Sequence, residues 1–273
     1  MAYPTVSAPY GFKPVNLIGG QVYAGSTRNL PIAYNYGTAI YYGDPVTLSS
    51  GYAVLPSLPV NSTNTIVGYF AGCYYTNPTT KQRLYSQYYP GGVTSGDITA
   101  IVVDDPDILL QVAATTSAGG TTIGSFSSIL VGSNVVGGTQ TGSASTGNSS
   151  LSVVPTSAAG ATTAGFRVIR LIPESQITYA AAYVSGTGTT TLTVSGLTVG
   201  QVIPVGTDVY NVVNGQLQFT GSTVSTGATV SSATSQALTV VASTATVSGT
   251  LALVQTPEAI VKTNFGVHRY NIA

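Results

Sequence analysis

Three carboxylates lie within four residues at Asp104-Asp105-Pro106-Asp107, the densest cluster of ionisable groups in this chain. Such a cluster could hold a calcium ion through carboxylate oxygens, but the glycine and the distal glutamate of an EF-hand loop are missing. Carboxylates beside a proline also arise where the chain simply turns at a strand end. His268 is the only histidine, between Val267 and Arg269, and its neighbours supply no partner for a metal site or a proton relay. Cys73, the only cysteine, lies in the apolar run Gly68-Tyr-Phe-Ala-Gly-Cys-Tyr-Tyr75. That setting predicts a buried, unreactive thiol, and one cysteine excludes an internal disulfide. There is no Gly-x-Ser-x-Gly elbow, no phosphate-binding loop and no Gly-x-Gly-x-x-Gly fingerprint. No cofactor, metal or catalytic residue is expected, and the chain reads as structural and not as an enzyme.

The tyrosines offer different chemistry. They pair at Tyr34/Tyr36, Tyr41/Tyr42, Tyr74/Tyr75 and Tyr88/Tyr89. Exposed rings with polar tips can line a subunit interface or stack on sugars. Alternation along a strand would instead send one tyrosine of each adjacent pair to the core and the other outward. Tyr10, Phe12, Lys13, Tyr34, Tyr36, Tyr88, Tyr89, Asp104 and Asp105 are the residues expected to form an interface.

The elements that must carry these residues are strands. Val, Ile, Thr and Tyr favour a pleated surface, while 32 Gly and 14 Pro interrupt any helical period. Strand-like runs fall at 28–34, 39–42, 45–48, 53–55, 66–70, 83–89 and 98–103. They are separated by Gly43-Asp44, Ser50-Gly51, Asn77-Pro78 and Pro90-Gly91-Gly92 turns. Residues 114–165 are rich in Gly, Ser, Thr and Ala, for which flexible linker is the compositional default; within them 123–136 could supply one or two strands, and 137–150 reads as a long loop or arm. A clean alternation at 165–173 predicts a strand. Thr/Val strands follow at 192–195, 202–205, 208–213, 216–220 and 237–242, and Asn214-Gly215 is the strongest hairpin signal. Further strands are expected at 259–265 and 267–272.

The chain therefore reads as all-β: a barrel or sandwich core with long loops or arms and an inserted small β domain. The expected division is an N-terminal arm at 1–20, a β core at 21–176 plus 256–273, and the insert at 177–255.

Charge is scarce. Eight basic and eight acidic residues are the whole complement of 273, and residues 108–166 contain none. A soluble domain ordinarily carries about a quarter charged residues. A surface this neutral predicts a chain held in an assembly, and the scattered basic residues argue against nucleic acid as a partner. No run approaches a membrane span. The first residues lack a signal-peptide pattern, so assembly in a cytoplasm without lipid anchorage is expected.

Several phrases resemble one family when taken together. They are Pro9-Tyr-Gly-Phe-Lys-Pro-Val-Asn-Leu-Ile-Gly-Gly20, Gly43-Asp-Pro-Val-Thr-Leu48, Ile66-Val-Gly-Tyr-Phe-Ala-Gly-Cys-Tyr-Tyr75, Gln87-Tyr-Tyr-Pro90, Ala100-Ile-Val-Val-Asp-Asp-Pro106 and Phe166-Arg-Val-Ile-Arg-Leu171. They resemble the capsid decoration, or cement, proteins of tailed bacteriophages, particularly marine phages, over 9–173 and 257–272. Residues 177–255 depart from the pattern.

The resemblance implies a homotrimer on the outer surface of the virion head, bound to the major capsid protein and bridging capsomers. Residues 1–20 and 137–150 would be arms reaching neighbouring subunits. The insert would project outward and could meet a host-surface glycan. The alternatives are a glycan- or receptor-binding fibre or adhesin module, a tail or head–tail assembly protein, and a β-structured polysaccharide hydrolase.

Overall fold

The computed structural model describes residues 6–60, 64–155, 164–186, 190–242 and 246–264. The chain is all-β, and its elements run in two groups. The first contains β1 (Lys13–Leu17), β2 (Arg28–Pro31), β3 (Pro45–Ser49), β4 (Tyr52–Val54), β5 (Gly68–Thr76), β6 (Arg83–Ser86), β7 (Thr99–Val103) and β8 (Ile108–Ala113). Then come β9 (Asn134–Gly137), β10 (Val153–Val154) and β11 (Phe166–Leu171). The second group is β12 (Ile177–Ser185), β13 (Thr191–Ser195), β14 (Val202–Ile203), β15 (Asp208–Val213), β16 (Gln216–Thr226), β17 (Ala228–Thr229), β18 (Gln236–Val240) and β19 (Thr250–Gln255). The chain then returns to the first group in β20 (Glu258–Thr263).

One six-stranded sheet has the order β1-β8-β20-β11-β9-β10, and a second has the order β2-β7-β5-β3-β4, with β6 joined to β5. Their facing sides share a core that includes Tyr69 and Val103 from the second sheet and Leu110, Phe166, Val168 and Val261 from the first. The Tyr69 hydroxyl spans the gap to Thr263 Oγ1 at 2.5 Å. Strand periodicity explains a second core on the other face of the second sheet. Tyr69 points to the first core, whereas its neighbour Phe70 joins Leu30, Val46, Ala100 and Val102 in the second. Burying a ring such as Phe166 or Phe70 contributes about 1.5–3 kcal/mol. Gly68 permits the close approach of β5 and β7, since a Cβ there would stand 2.1 Å from the Val103 carbonyl oxygen.

Strands β12, β13, β18, β16, β15 and β19 close into a barrel around Leu192, Val194, Val209, Leu238, Leu251 and Leu253. The Asn214-Gly215 turn joins β15 to β16 with positive φ at both residues (51° and 77°), as the hairpin signal required. The barrel is entered after β11 and left before β20, and those two strands pair antiparallel.

Several expectations are corrected. Residues 13–17 are no arm: they form β1, paired with β8, because Phe12 beside them is 1% exposed in the first core. Nor do residues 137–150 reach away. Gln140 is buried, with Nε2 donating to Gly120 O (2.6 Å) and Ser152 Oγ (2.8 Å), and Asn148 bridges to Tyr42. The Gly/Ser-rich segment is not linker either, since Ser125, Phe126 and Ser152 are fully buried. Small side chains here admit close packing in which hydroxyls take the place of apolar bulk. The run at 39–42 contributes only isolated bridges, through Ile40 and Tyr42. His268 and the run expected at 267–272 lie outside the described residues.

Candidate interaction surface

Most residues expected at an interface are engaged within the chain itself. Phe12 stacks on Phe166 with centroids 4.6 Å apart. Tyr89 is wholly buried, donating to the Tyr36 carbonyl at 2.7 Å and accepting from Val93 N at 3.3 Å. These two are core residues, which corrects their assignment to a surface. The Tyr36 ring stacks on Tyr89, and its hydroxyl accepts from Leu55 N at 3.1 Å. Tyr10 donates to the Glu258 carboxylate, which also accepts from Gln111 Nε2 at 2.9 Å. Burial, then this carboxylate, pushes the Tyr10 hydroxyl far above the ordinary phenol range. Lys13 lies 4.0 Å over the Tyr10 ring. Tyr88 stacks on Tyr41 at 5.5 Å, and only Tyr34 projects freely, at 65% exposure.

The three clustered carboxylates do not converge. Asp104 pairs with Arg28 at 2.8 Å, and Asp105 Oδ1 accepts from Asp107 N at 2.8 Å. Asp107 instead pairs with Lys262 at 2.7 Å. Among the described residues no group of three His, Cys, Asp or Glu is placed to hold a metal ion. Burial pushes the Cys73 thiol up to about 12, far from the thiolate that nucleophilic chemistry requires.

The surface that the residue types alone did not single out is the β5–β6 hairpin. Antiparallel register sets Tyr74 opposite Tyr85 and Thr76 opposite Arg83. The two rings lie 5.5 Å apart, and the Arg83 guanidinium sits 4.2 Å over Tyr74 and 5.7 Å from Tyr85. Tyr85 is 69% exposed and Leu84, on the opposite face of β6, is 41% exposed. The turn is built by Asn77, whose Oδ1 accepts from Thr79 N and Thr80 N, and Lys81 takes a φ of 59° to close it. At its base Asp97 accepts from Ser95 Oγ, Thr76 Oγ1 and Thr76 N, which hold its carboxyl well below the usual range. The turn at Asn77-Pro78 and the strand character of 83–89 were visible in the sequence. The stacking of Arg83 on two rings depends on register and was not.

A second surface belongs to the barrel. Its one carboxylate, Asp208, is buried against the sandwich, where it accepts from Ser127 Oγ (2.6 Å) and Ser128 N (2.8 Å). Burial raises the Asp208 pKa despite these bonds. The outside of the barrel is therefore uncharged, with Val184, Val199, Val202, Val213, Leu217 and Val241 each exposed. Comparison with protein-family models, with curated proteins and with solved structures finds no match to this chain.

Proposed function

We propose that this chain is a structural virion subunit that binds the outer surface of a tailed-phage head and ties neighbouring capsomers together. The observation that carries this reading is the distribution of charge. The barrel presents an uncharged surface dotted with exposed aliphatic residues, and the sandwich has strand edges that pair with no further strand among the described residues. Such surfaces suit many repeated contacts made through main-chain and apolar groups. Repetition over a closed shell multiplies weak contacts into firm attachment. The resemblance of its phrases to cement proteins is what names the kind of assembly in this reading. In this reading the sandwich meets the major capsid protein, three copies associate, and the barrel stands outward.

Co-sedimentation of the full chain with expanded, undecorated capsids tests this. Saturable binding at a stoichiometry matched to the capsid lattice is expected. A second variant replaces 177–255 by a short Gly/Ser link, which is feasible because β11 and β20 are paired neighbours. If that variant is folded and binds equally, attachment belongs to the sandwich. Failure of the folded full chain to bind capsids overturns the cement reading and moves a fibre, adhesin or tail role ahead of it.

A further inference from the structure

We propose that the free edge of β6 accepts an extended, carboxylate-bearing segment of a neighbouring protein as an added strand. This deepens the assembly reading by naming the chemistry of the partner, and it rests on that reading. Strand β6 is hydrogen-bonded to β5 on one side, and among the described residues no strand pairs with its other side. Unpaired amides and carbonyls along such an edge are a template for one more strand.

The edge also carries a cation that no ion pair among the described residues engages. Arg83 begins the strand and Lys81 stands in the turn just before it, and the ion pairs among the described residues join other groups, Arg28 with Asp104 and Lys262 with Asp107. Asp97, the nearest carboxylate in the sheet, is oriented toward Ser95 and Thr76 by three hydrogen bonds and forms no ion pair with Arg83. Arg83 is held against Tyr74 and Tyr85, so the orientation of its guanidinium is restrained before any partner arrives. Its N–H groups make no hydrogen bond to the described residues. A planar, restrained guanidinium matches a carboxylate through two parallel hydrogen bonds.

Alternation then dictates the pattern of the incoming segment. An acidic residue falls on the face of Arg83 and Tyr85, and an apolar residue falls beside Leu84 on the other face. An anionic sugar could meet Arg83 and Tyr85, but it would leave the backbone edge and Leu84 unused, so the geometry favours a strand.

The test uses the isotope-labelled full chain and two capped peptides, Thr-Thr-Glu-Val-Glu-Thr-Thr and its counterpart with Gln in place of Glu. The acidic peptide is expected to shift and protect amides of β6, with inter-backbone contacts typical of a paired strand. The neutral peptide should bind about fivefold more weakly, the worth of an exposed charge pair. Arg83→Gln, an exposed substitution whose fold is checked by its spectrum, should abolish that difference. Equal affinity of the two peptides, or shifts centred away from β6, overturns the proposal. So does a response of the same residues to sialyllactose with none to either peptide. Capsid binding by the full chain with no peptide effect overturns this inference alone. A peptide effect without capsid binding upholds it while overturning the cement role.

Discussion

Asp44 shows how a single residue can set the pH response of a nearly uncharged protein. It is 4% exposed, and its Oδ2 accepts from Tyr41 N at 2.8 Å. Burial raises its pKa to about 6, outweighing the bonds from Ser149 and Tyr41 that act to lower it. The folded value lies above the unfolded one, so the folded chain holds the proton more tightly. The stability this confers is complete below about pH 4 and is lost as pH rises through 6. Two pKa units correspond to about 3 kcal/mol. Asp44→Asn keeps an acceptor for Tyr41 N and has no charge to bury. Its stability relative to wild type should therefore improve by about 3 kcal/mol between pH 4 and pH 7, read from urea unfolding at each pH. A difference independent of pH would refute the assignment. Asp208, raised in the same direction, supplies a further part of the wild-type slope that this substitution leaves in place.

At the scale of elements, the decisive join is the segment between β8 and β9. Phe126 N donates to Thr256 O (2.8 Å), Ser125 N to Val205 O (3.1 Å) and Thr256 N to Ser125 Oγ (2.8 Å). The sandwich therefore grips the barrel through backbone, and Asp208 caps the grip at Ser127 and Ser128. Gly206 is needed where these elements meet: its φ is +85°, and a Cβ would stand 2.0 Å from Ser125 O. Asp208→Ala leaves the buried Ser127 hydroxyl without its acceptor, which costs about 1–3 kcal/mol, and also frees the half-buried Ser128 amide. Hydrogen exchange at 125–128 should accelerate at least tenfold in this variant, while β5 and β7 amides hold their wild-type rates. Uniform acceleration through both sheets would show that the join is not a separate element. By composition the same segment is a linker by default, although 123–136 also reads as able to supply strands. Gly, Ser and Thr are what a solvated chain uses, and they are also what a tight polar junction uses, so composition does not distinguish the two.

For the whole molecule, a buried join predicts cooperative unfolding of sandwich and barrel. Scanning calorimetry of the wild type should give one transition whose calorimetric and van't Hoff enthalpies agree, whereas Gly206→Ala should split it in two. Two transitions in the wild type would mean that the barrel stands alone energetically. Exposed Val and Leu on an uncharged barrel also make free chains prone to associate, in keeping with the proposed assembly role.

The sequence by itself determined the all-β class, the hairpin at Asn214-Gly215 and an inserted block of different composition, because local propensity and turn chemistry act over a few residues. One of its two readings of the tyrosines, a division of adjacent pairs between core and surface, holds at Tyr74/Tyr75 and Tyr88/Tyr89 but not at Tyr41/Tyr42, which are both half-buried. Tyr75 and Tyr89 are buried, while Tyr74 and Tyr88 are only partly so. Which tyrosine goes where was decided by tertiary structure. Tyr89 is claimed by a core and Tyr85 is left outside by the register of β6 on β5, and register is a pairing between segments that no local signal carries. The same holds for β1 and β8, whose strand character emerges when each finds the other at the edge of the first sheet. The dispersal of Asp104, Asp105 and Asp107 to separate partners likewise follows from long-range approach, since Arg28 and Lys262 come from distant strands. Sequence proximity puts carboxylates side by side, but the cations that neutralise them arrive only when the sheets assemble.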